Sequence, residues 1–298
     1  MNFKNTKRIL LTGATGNIGQ EVVRFHHQLN SPNILIAGVR DIEKAREKFI
    51  GYPELEFVLF DFEEPATFQS ALQNIDLVFL LRPPQISNVG RYFKPLIDSM
   101  VKFCIRQIIF ISVQGAEKSR FIPHNQIEKL IVSSNVNAIF LRPGYFMQNL
   151  TTTLLQDIQK YSKIIVPAGN AKFNWIDIEN IAEVVVILFE KFEQYQGNPL
   201  EITGDENKNF AEIAWLITSR TGKNIGYESP NLLKFFMLKK RDGLKAIYIL
   251  VIIMLHYLQR FQKEPVITHF YEKLTGKKPN SLATFIDREK ELFFSAKS

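Results

Sequence analysis

The chain has 298 residues, 46% apolar and 22% charged, with 37 Lys+Arg against 30 Asp+Glu and a net charge of +7. This composition excludes wholesale disorder and allows one large or two modest domains. A single cysteine, Cys104, excludes an intrachain disulfide and fits a reducing, cytoplasmic setting, while the longest apolar run, 246–255, is about half of what spans a bilayer.

The basic start is followed by only a short apolar run and reads as no signal peptide. Residues 9–12 form that run, and a helical stretch follows over 18–29. Further apolar runs at 34–39, 55–60, 76–81, 108–111 and 138–141 alternate with helical patterns at 42–50, 89–103 and 125–133. Within 89–103, Phe93, Leu96, Ile97, Met100 and Val101 recur at helical spacing. The runs are continuous rather than alternating, which marks strands buried on both faces of a parallel sheet. Strand and helix in regular alternation predict an α/β fold with a doubly wound parallel sheet. After residue 145 the rhythm loosens. Helices are expected at 181–192 and 210–221, the latter capped by Asn209, with an extra strand at 200–203. A basic, then very apolar stretch covers 232–258, and a terminal helix is expected over 279–294. No Gly/Ser/Pro-rich linker separates two independent domains.

Gly13, Gly16 and Gly19 follow the first strand and open the first helix. In that context Gly13 permits a tight turn, Gly16 lets the backbone approach a pyrophosphate, and Gly19 allows close helix–strand packing. The first-turn N–H groups would then hold the anion, so Gly13, Thr15, Gly16, Asn17, Ile18 and Gly19 form the expected phosphate cradle. The bland alternative is an ordinary glycine turn. At the end of the second strand, where an acidic residue would bind a ribose 2′-hydroxyl, the chain has Arg40. An arginine suits a 2′-phosphate, so NADP(H) is preferred and NAD(H) is the alternative. Asp41 beside it muddies the charge, and Arg40 could simply be an exposed helix-start residue. Asp61 and Phe62 follow the third strand, where a carboxylate can accept from an adenine amino group and a ring can lie beside it. Their alternative is a helix N-cap.

The strings TGATGNIG (12–19), VFLLRPP (78–84), ISVQGA (111–116), PHNQIE (123–128), LRPGYFMQN (141–149) and WIDIENIA (175–182) together resemble the NmrA-like family of atypical short-chain dehydrogenases/reductases. The resemblance covers most of residues 7–205. It implies an NAD(P)-binding Rossmann region, here over 1–150, with sheet completion and a smaller C-terminal substrate lobe over 151–298. It also adds Leu81 and Arg82 to the cofactor-binding set. Members of the family are quinone or azo-type reductases, ether reductases, and redox-sensing regulators that bind the nucleotide without turnover.

The larger superfamily places Tyr-x-x-x-Lys on one helix face to donate a proton. Here His124 and Glu128 take the two slots, and Lys129 is turned roughly 100° away. His124 is therefore the candidate proton donor, with Glu128 one turn on to hold its tautomer. The alternative is a helix-start histidine and a solvated glutamate. A conjugated acceptor would relax the need for an acid, since water can protonate it after hydride arrives. Ser112, ending the fifth strand, is expected at the nicotinamide, and Tyr145 and Phe146 are expected to wall a flat substrate. Met147 fits core better. His26, His27, His256 and His269 lack metal-ligand spacing and read as structural or surface residues, and Cys104 as a small core residue.

The expected function is NADP(H)-dependent transfer of hydride to a quinone-like or other conjugated small molecule. The alternative is a nucleotide-sensing regulator. No zinc, homeodomain or RNP pattern supports a nucleic-acid partner. The charge is uneven: 223–278 holds 11 basic and 4 acidic residues, or +7, which equals the whole excess. This segment brackets the apolar run, with Lys239, Lys240 and Arg241 before it and Arg260 and Lys263 after it. It reads either as a buried lobe helix with solvated ends or as a membrane-surface contact through 239–263. The sequence does not fix the oligomeric state.

Overall fold

The apolar runs of the first half become strands with both faces covered in the computed structural model, which describes residues 6–294 other than Ser119 and Phe121. The basic start of the chain lies partly outside these residues. In order come β1 (Arg8–Thr12), α1 (Asn17–Gln28), β2 (Ile34–Val39), α2 (Ile42–Lys48), β3 (Glu56–Leu59), α3 (Phe68–Leu72) and β4 (Leu77–Leu81). Then follow α4 (Val89–Lys102), β5 (Gln107–Ile111), α5 (Pro123–Ser133), β6 (Asn137–Pro143) and β7 (Tyr145–Phe146). Next are α6 (Leu155–Tyr161), β8 (Lys163–Ile165), β9 (Phe173–Ile176), α7 (Ile178–Tyr195) and β10 (Leu200–Ile202). The remainder is β11 (Asn207–Lys208), α8 (Phe210–Thr221), β12 (Gly226–Glu228), α9 (Leu232–Arg241), α10 (Ala246–Tyr257), α11 (Phe270–Thr275) and α12 (Leu282–Glu289).

The chain forms two compact units. The first holds the residues up to Pro143 together with Ile178–Ile202. Its seven strands run parallel in the order β10-β6-β5-β4-β1-β2-β3. The order reverses between β1 and β4, which makes their carboxyl ends the switch point where doubly wound sheets bind ligands. Thr12 locks that point. Its hydroxyl donates to the Phe79 carbonyl at 3.0 Å and accepts from the Leu81 N–H at 2.9 Å. Leu10, Val78, Leu80 and Phe110 of the sheet pack with Phe93, Leu96, Ile97, Ile127 and Ile131 of the helices, all fully buried or nearly so. The other face is covered by α1 packed against α7.

The second unit holds Gly144–Asp177 and the chain from Thr203 on. Two small sheets, β11-β9-β7 and β12-β8, support a core of Met147, Leu150, Trp175, Phe210, Ile213, Phe285 and Ile286. Gly204 is pinned there, its N–H donating to Asn174 Oδ1 at 2.8 Å and its carbonyl accepting from Asn174 Nδ2 at 3.0 Å. A side chain at 204 would overlap the Trp175 carbonyl. The expected cap at Asn209 forms a full capping box with Glu212.

Along the chain, α7 and β10 belong to the first unit, where β10 adds the edge strand beside β6, so sheet completion falls within 151–298. The stretch 232–258 is two helices, broken at Asp242 and Gly243, the latter at φ +88°. The last helix ends at Glu289 in a short 3-10 turn. Cys104 is not a core residue: α4 stops at Lys102, and Cys104 sits exposed in the following turn at φ +58°. Among the described residues, no helix is long and apolar enough to cross a membrane.

Candidate nucleotide-binding site

The glycine loop leaves β1 at Gly13, whose φ of +66° few other residues adopt. The Gly16 N–H donates to the Gly13 carbonyl at 3.0 Å and closes the turn. A Cβ at Gly13 would stand 2.8 Å from Leu81 Cδ2, and one at Gly19 would overlap the Gly13 carbonyl and crowd Ala14. Gly16 sits at the N-cap of α1 and contributes no side-chain cap. The first-turn amides thus keep their capacity for an anion. Thr15, Gly16 and Asn17 are exposed, whereas Ile18 is buried and offers the site only its backbone. The Thr15 carbonyl is held from two sides, by Gln20 Nε2 at 3.0 Å and Lys48 Nζ at 3.2 Å.

Arg40 is exposed at the end of β2. Its neighbour Asp41 is engaged elsewhere. It caps α2, accepting from the Lys44 N–H at 3.1 Å, and pairs with Lys44 Nζ at 3.1 Å. Those Lys44 contacts hold its carboxyl below the usual range. Asp61 accepts from the Glu63 N–H at 3.0 Å in a local turn and caps no helix, since the short 3-10 turn Pro65–Thr67 begins after Glu64 without a side-chain cap. Phe62 does not offer a ring to an adenine. It is buried edge-on to Phe60 at 5.0 Å and beside Phe93 at 5.2 Å, because the chain turns into the core after β3.

Leu81 backs Gly13, and Arg82 shapes the loop after β4. The Arg82 Nη1 donates to the carbonyls of Pro83 (3.1 Å), Pro84 (3.2 Å) and Ile86 (2.7 Å), and its Nε to His124 Nε2 at 3.4 Å. His124 Nε2 therefore accepts, and the ring is neutral. Burial, then the Arg82 charge, pushes the His124 pKa down to about 3. An imidazole so depressed carries no acidic proton near neutrality.

Glu128 neither supports His124 nor faces solvent. It is buried and binds Arg142 with both oxygens, Nε at 3.0 Å and Nη2 at 2.6 Å. Arg142 also donates from Nη1 to Glu117 at 2.7 Å, and these carboxylates hold its guanidinium charged. Ser112 is buried as well, its hydroxyl donating to Glu128 Oε1 at 2.5 Å. The hydroxyl expected at the nicotinamide is thus committed to a carboxylate. Lys129 is exposed on another helix face.

Tyr145 is an aromatic-core residue of the second unit rather than an open wall. Its ring lies 5.1 Å from Phe173, 4.8 Å from Trp175 and 6.0 Å from Phe210. Its hydroxyl meets His256 Nε2 at 2.9 Å, while His256 Nδ1 donates to the Ile252 carbonyl at 2.7 Å. Burial raises the Tyr145 phenol well above its ordinary range and pushes His256 down to about 4. Phe146 is half-buried, pairing through β7 with Ile176, and Met147 is fully buried as expected.

The NmrA-like family model matches residues 5–242. The chain belongs to the NmrA-like family. Prestalk A differentiation protein A of Dictyostelium discoideum is 32% identical over 231 residues, 76% of this chain and 74% of its own. An NAD(P)H azoreductase of Xenophilus azovorans is 30% identical over 230 residues, 75% of this chain and 77% of its own. Among solved structures, the NADPH-dependent quinone oxidoreductase of Escherichia coli, complexed with NADPH, superposes with a TM-score of 0.81. It shares 20% identity and covers 94% of this chain and 99% of its own.

In this NmrA-like chain, the glycine loop and Arg40 stand at the ends of β1 and β2 as the motif spacing implies. Sequence reasoning missed Arg142, Glu117 and Lys48, and also Asp177. Asp177 lies fully buried in the second unit and accepts from Gln148 (2.6 Å), Asn280 (2.9 Å) and Arg288 (3.0 Å). Buried charges inside otherwise apolar motifs, Arg142 in LRPGYF and Asp177 in WIDI, were the available signal.

Proposed function

We propose that this chain is an NADP(H)-dependent oxidoreductase that delivers hydride to a quinone-like or other conjugated small-molecule acceptor. The glycine loop carries the reading: the φ of +66° at Gly13 disfavours a side chain, a Cβ at Gly19 would overlap backbone, and α1 begins without a side-chain cap. Thr15, Gly16, Asn17 and the α1 amides would hold the pyrophosphate. Arg40 would meet a 2′-phosphate, since Asp41 is occupied by Lys44, which favours NADP(H) over NAD(H). A bound reduced nicotinamide supplies the hydride. The chain's part is to bind and orient, because Ser112, His124 and Glu128 are spent on neighbours and offer no acidic proton. A conjugated acceptor suits such a site, because its reduced anion takes a proton from water. Azo compounds and quinones, named for the azoreductase and the quinone oxidoreductase, are acceptors of that kind. The setting this reading favours is cytoplasmic, with a small molecule and no nucleic acid as partner.

The same engaged residues favour a second reading, a redox-sensing regulator that binds NADP(H) without turnover. NADPH oxidation, followed by absorbance against a panel of quinones and azo dyes, separates the two. Turnover above the protein-free blank supports the enzyme. Saturable NADPH binding with no turnover supports the regulator. Failure to bind either nucleotide overturns both.

A further inference from the structure

Helix α10 inverts the pattern of an ordinary surface helix, which turns its polar side to water. Its inner face carries Ile249, Ile252 and His256, all buried in the second unit. At 100° per residue, Ile247, Leu250, Val251, Met254, Leu255 and Leu258 fall opposite them, in an arc of about 140°. All six are exposed, Ile247 by 70% and Leu250 and Leu255 by 53% each, and Phe261 follows at 71%. The outward face is thus continuous hydrocarbon, the mark of an interaction surface. Twelve residues make a helix of about 18 Å, well short of the roughly 30 Å hydrocarbon core of a bilayer. Such a helix can lie in a membrane interface and cannot cross it.

Basic residues frame this face. Lys240, Arg241 and Lys245 precede it and Arg260 and Lys263 follow it, all exposed. Over 239–263 the sequence has six Lys/Arg against one acidic residue, Asp242. The Asp242 carboxylate is turned inward, accepting from Lys160 Nζ and the Tyr161 hydroxyl at 2.8 Å each, so it does not neutralise the rim. Lys239 does not belong to the rim, because it is buried in an ion pair with Asp157.

We infer that the second unit docks on an anionic membrane surface through α10, its apolar face set among the acyl chains and its basic rim on the headgroups. This goes beyond the proposed redox activity and does not depend on it. The charge selects the occupant. A second copy seated on this face would set one cationic rim against another, whereas anionic headgroups neutralise it. Apolar burial and electrostatic attraction then act together, as interfacial anchoring requires.

The test is co-sedimentation of the full chain with vesicles of phosphatidylcholine alone or mixed with phosphatidylglycerol, at low and high salt. The expected result is at least about tenfold stronger partition onto the anionic vesicles, weakened by salt. The double variant L250E/L255E touches only exposed positions. It is expected to keep the wild-type melting curve and to lose vesicle binding. The triple variant K240E/R241E/K245E is expected to lose the preference for anionic lipid. Wild-type protein that stays in the supernatant overturns the proposal. So does vesicle binding that L250E/L255E leaves intact. A dimer in light scattering that L250E/L255E splits, with no vesicle binding by the wild type, also overturns it and gives the face to a second copy.

Discussion

The carboxyl edge of the parallel sheet carries two polar regions with opposite fates. At the end of β1, the chain uses glycines, and the first-turn donors of α1 are left without a side-chain cap. At the ends of β5 and β6, Ser112, Glu128, Arg142 and Glu117 close on one another. The first region owes its capacity to backbone groups that a ligand can satisfy. The second has richer side-chain chemistry but has consumed it in fastening α5 to the sheet. Residue types suited to catalysis therefore do not make a catalytic centre when each already faces a buried partner.

Substitutions on the two sides should separate these roles. Arg142→Met leaves Glu128 buried with an uncompensated charge and is expected to cost about 3–5 kcal/mol, read from urea unfolding. The protein that remains folded should still bind NADPH, and unchanged stability would deny the network its anchoring role. Gly19→Ala drives a Cβ into the Gly13 carbonyl. If the loop shifts to relieve that overlap, an overpacking cost of about 1–3 kcal/mol sets the scale, a roughly five- to 150-fold loss of NADPH affinity in a fluorescence titration. Arg40→Ala should weaken NADPH by about tenfold and leave NADH unaltered, and equal losses for both would remove the 2′-phosphate assignment.

The smallest effect at neutral pH belongs to His124→Gln, within about 1 kcal/mol by thermal melting. Acidification should reveal it. The His124 pKa is held down to about 3 in the folded chain, against 6.5 ordinarily, so the unfolded chain takes up its proton first. Stability from this group is complete above pH 6.5 and drains away as pH falls toward 3, by up to about 1.4 kcal/mol per pH unit. His124→Gln should shallow that loss; an identical acid slope would place the histidine in contact with solvent.

Much of the nucleotide end was legible because its signals are local. Gly13, Gly16 and Gly19 have a backbone job wherever a strand meets a helix, and Arg40 is placed simply by ending β2. Phe62 and Ser112 were misjudged because a position at a strand end says nothing about which way the side chain turns. Glu128 was misread because its partner, Arg142, lies on the neighbouring strand. Short elements such as β8, β11 and β12 contain too few residues for periodicity to register.

By itself, the sequence determined the doubly wound sheet, the glycine turn and the family, since continuous apolar runs and glycine spacing act through near neighbours. Only the tertiary structure decided how the charged and aromatic residues are spent. It closed Glu128 on Arg142, drew Lys239 inward to Asp157 and set Tyr145 against His256. It also turned the apolar stripe of α10 outward. The reason is physical: burial and hydrogen-bond partnership are properties of contacts between distant segments, and the same side chain is a ligand, an anchor or a core residue according to what the fold brings beside it.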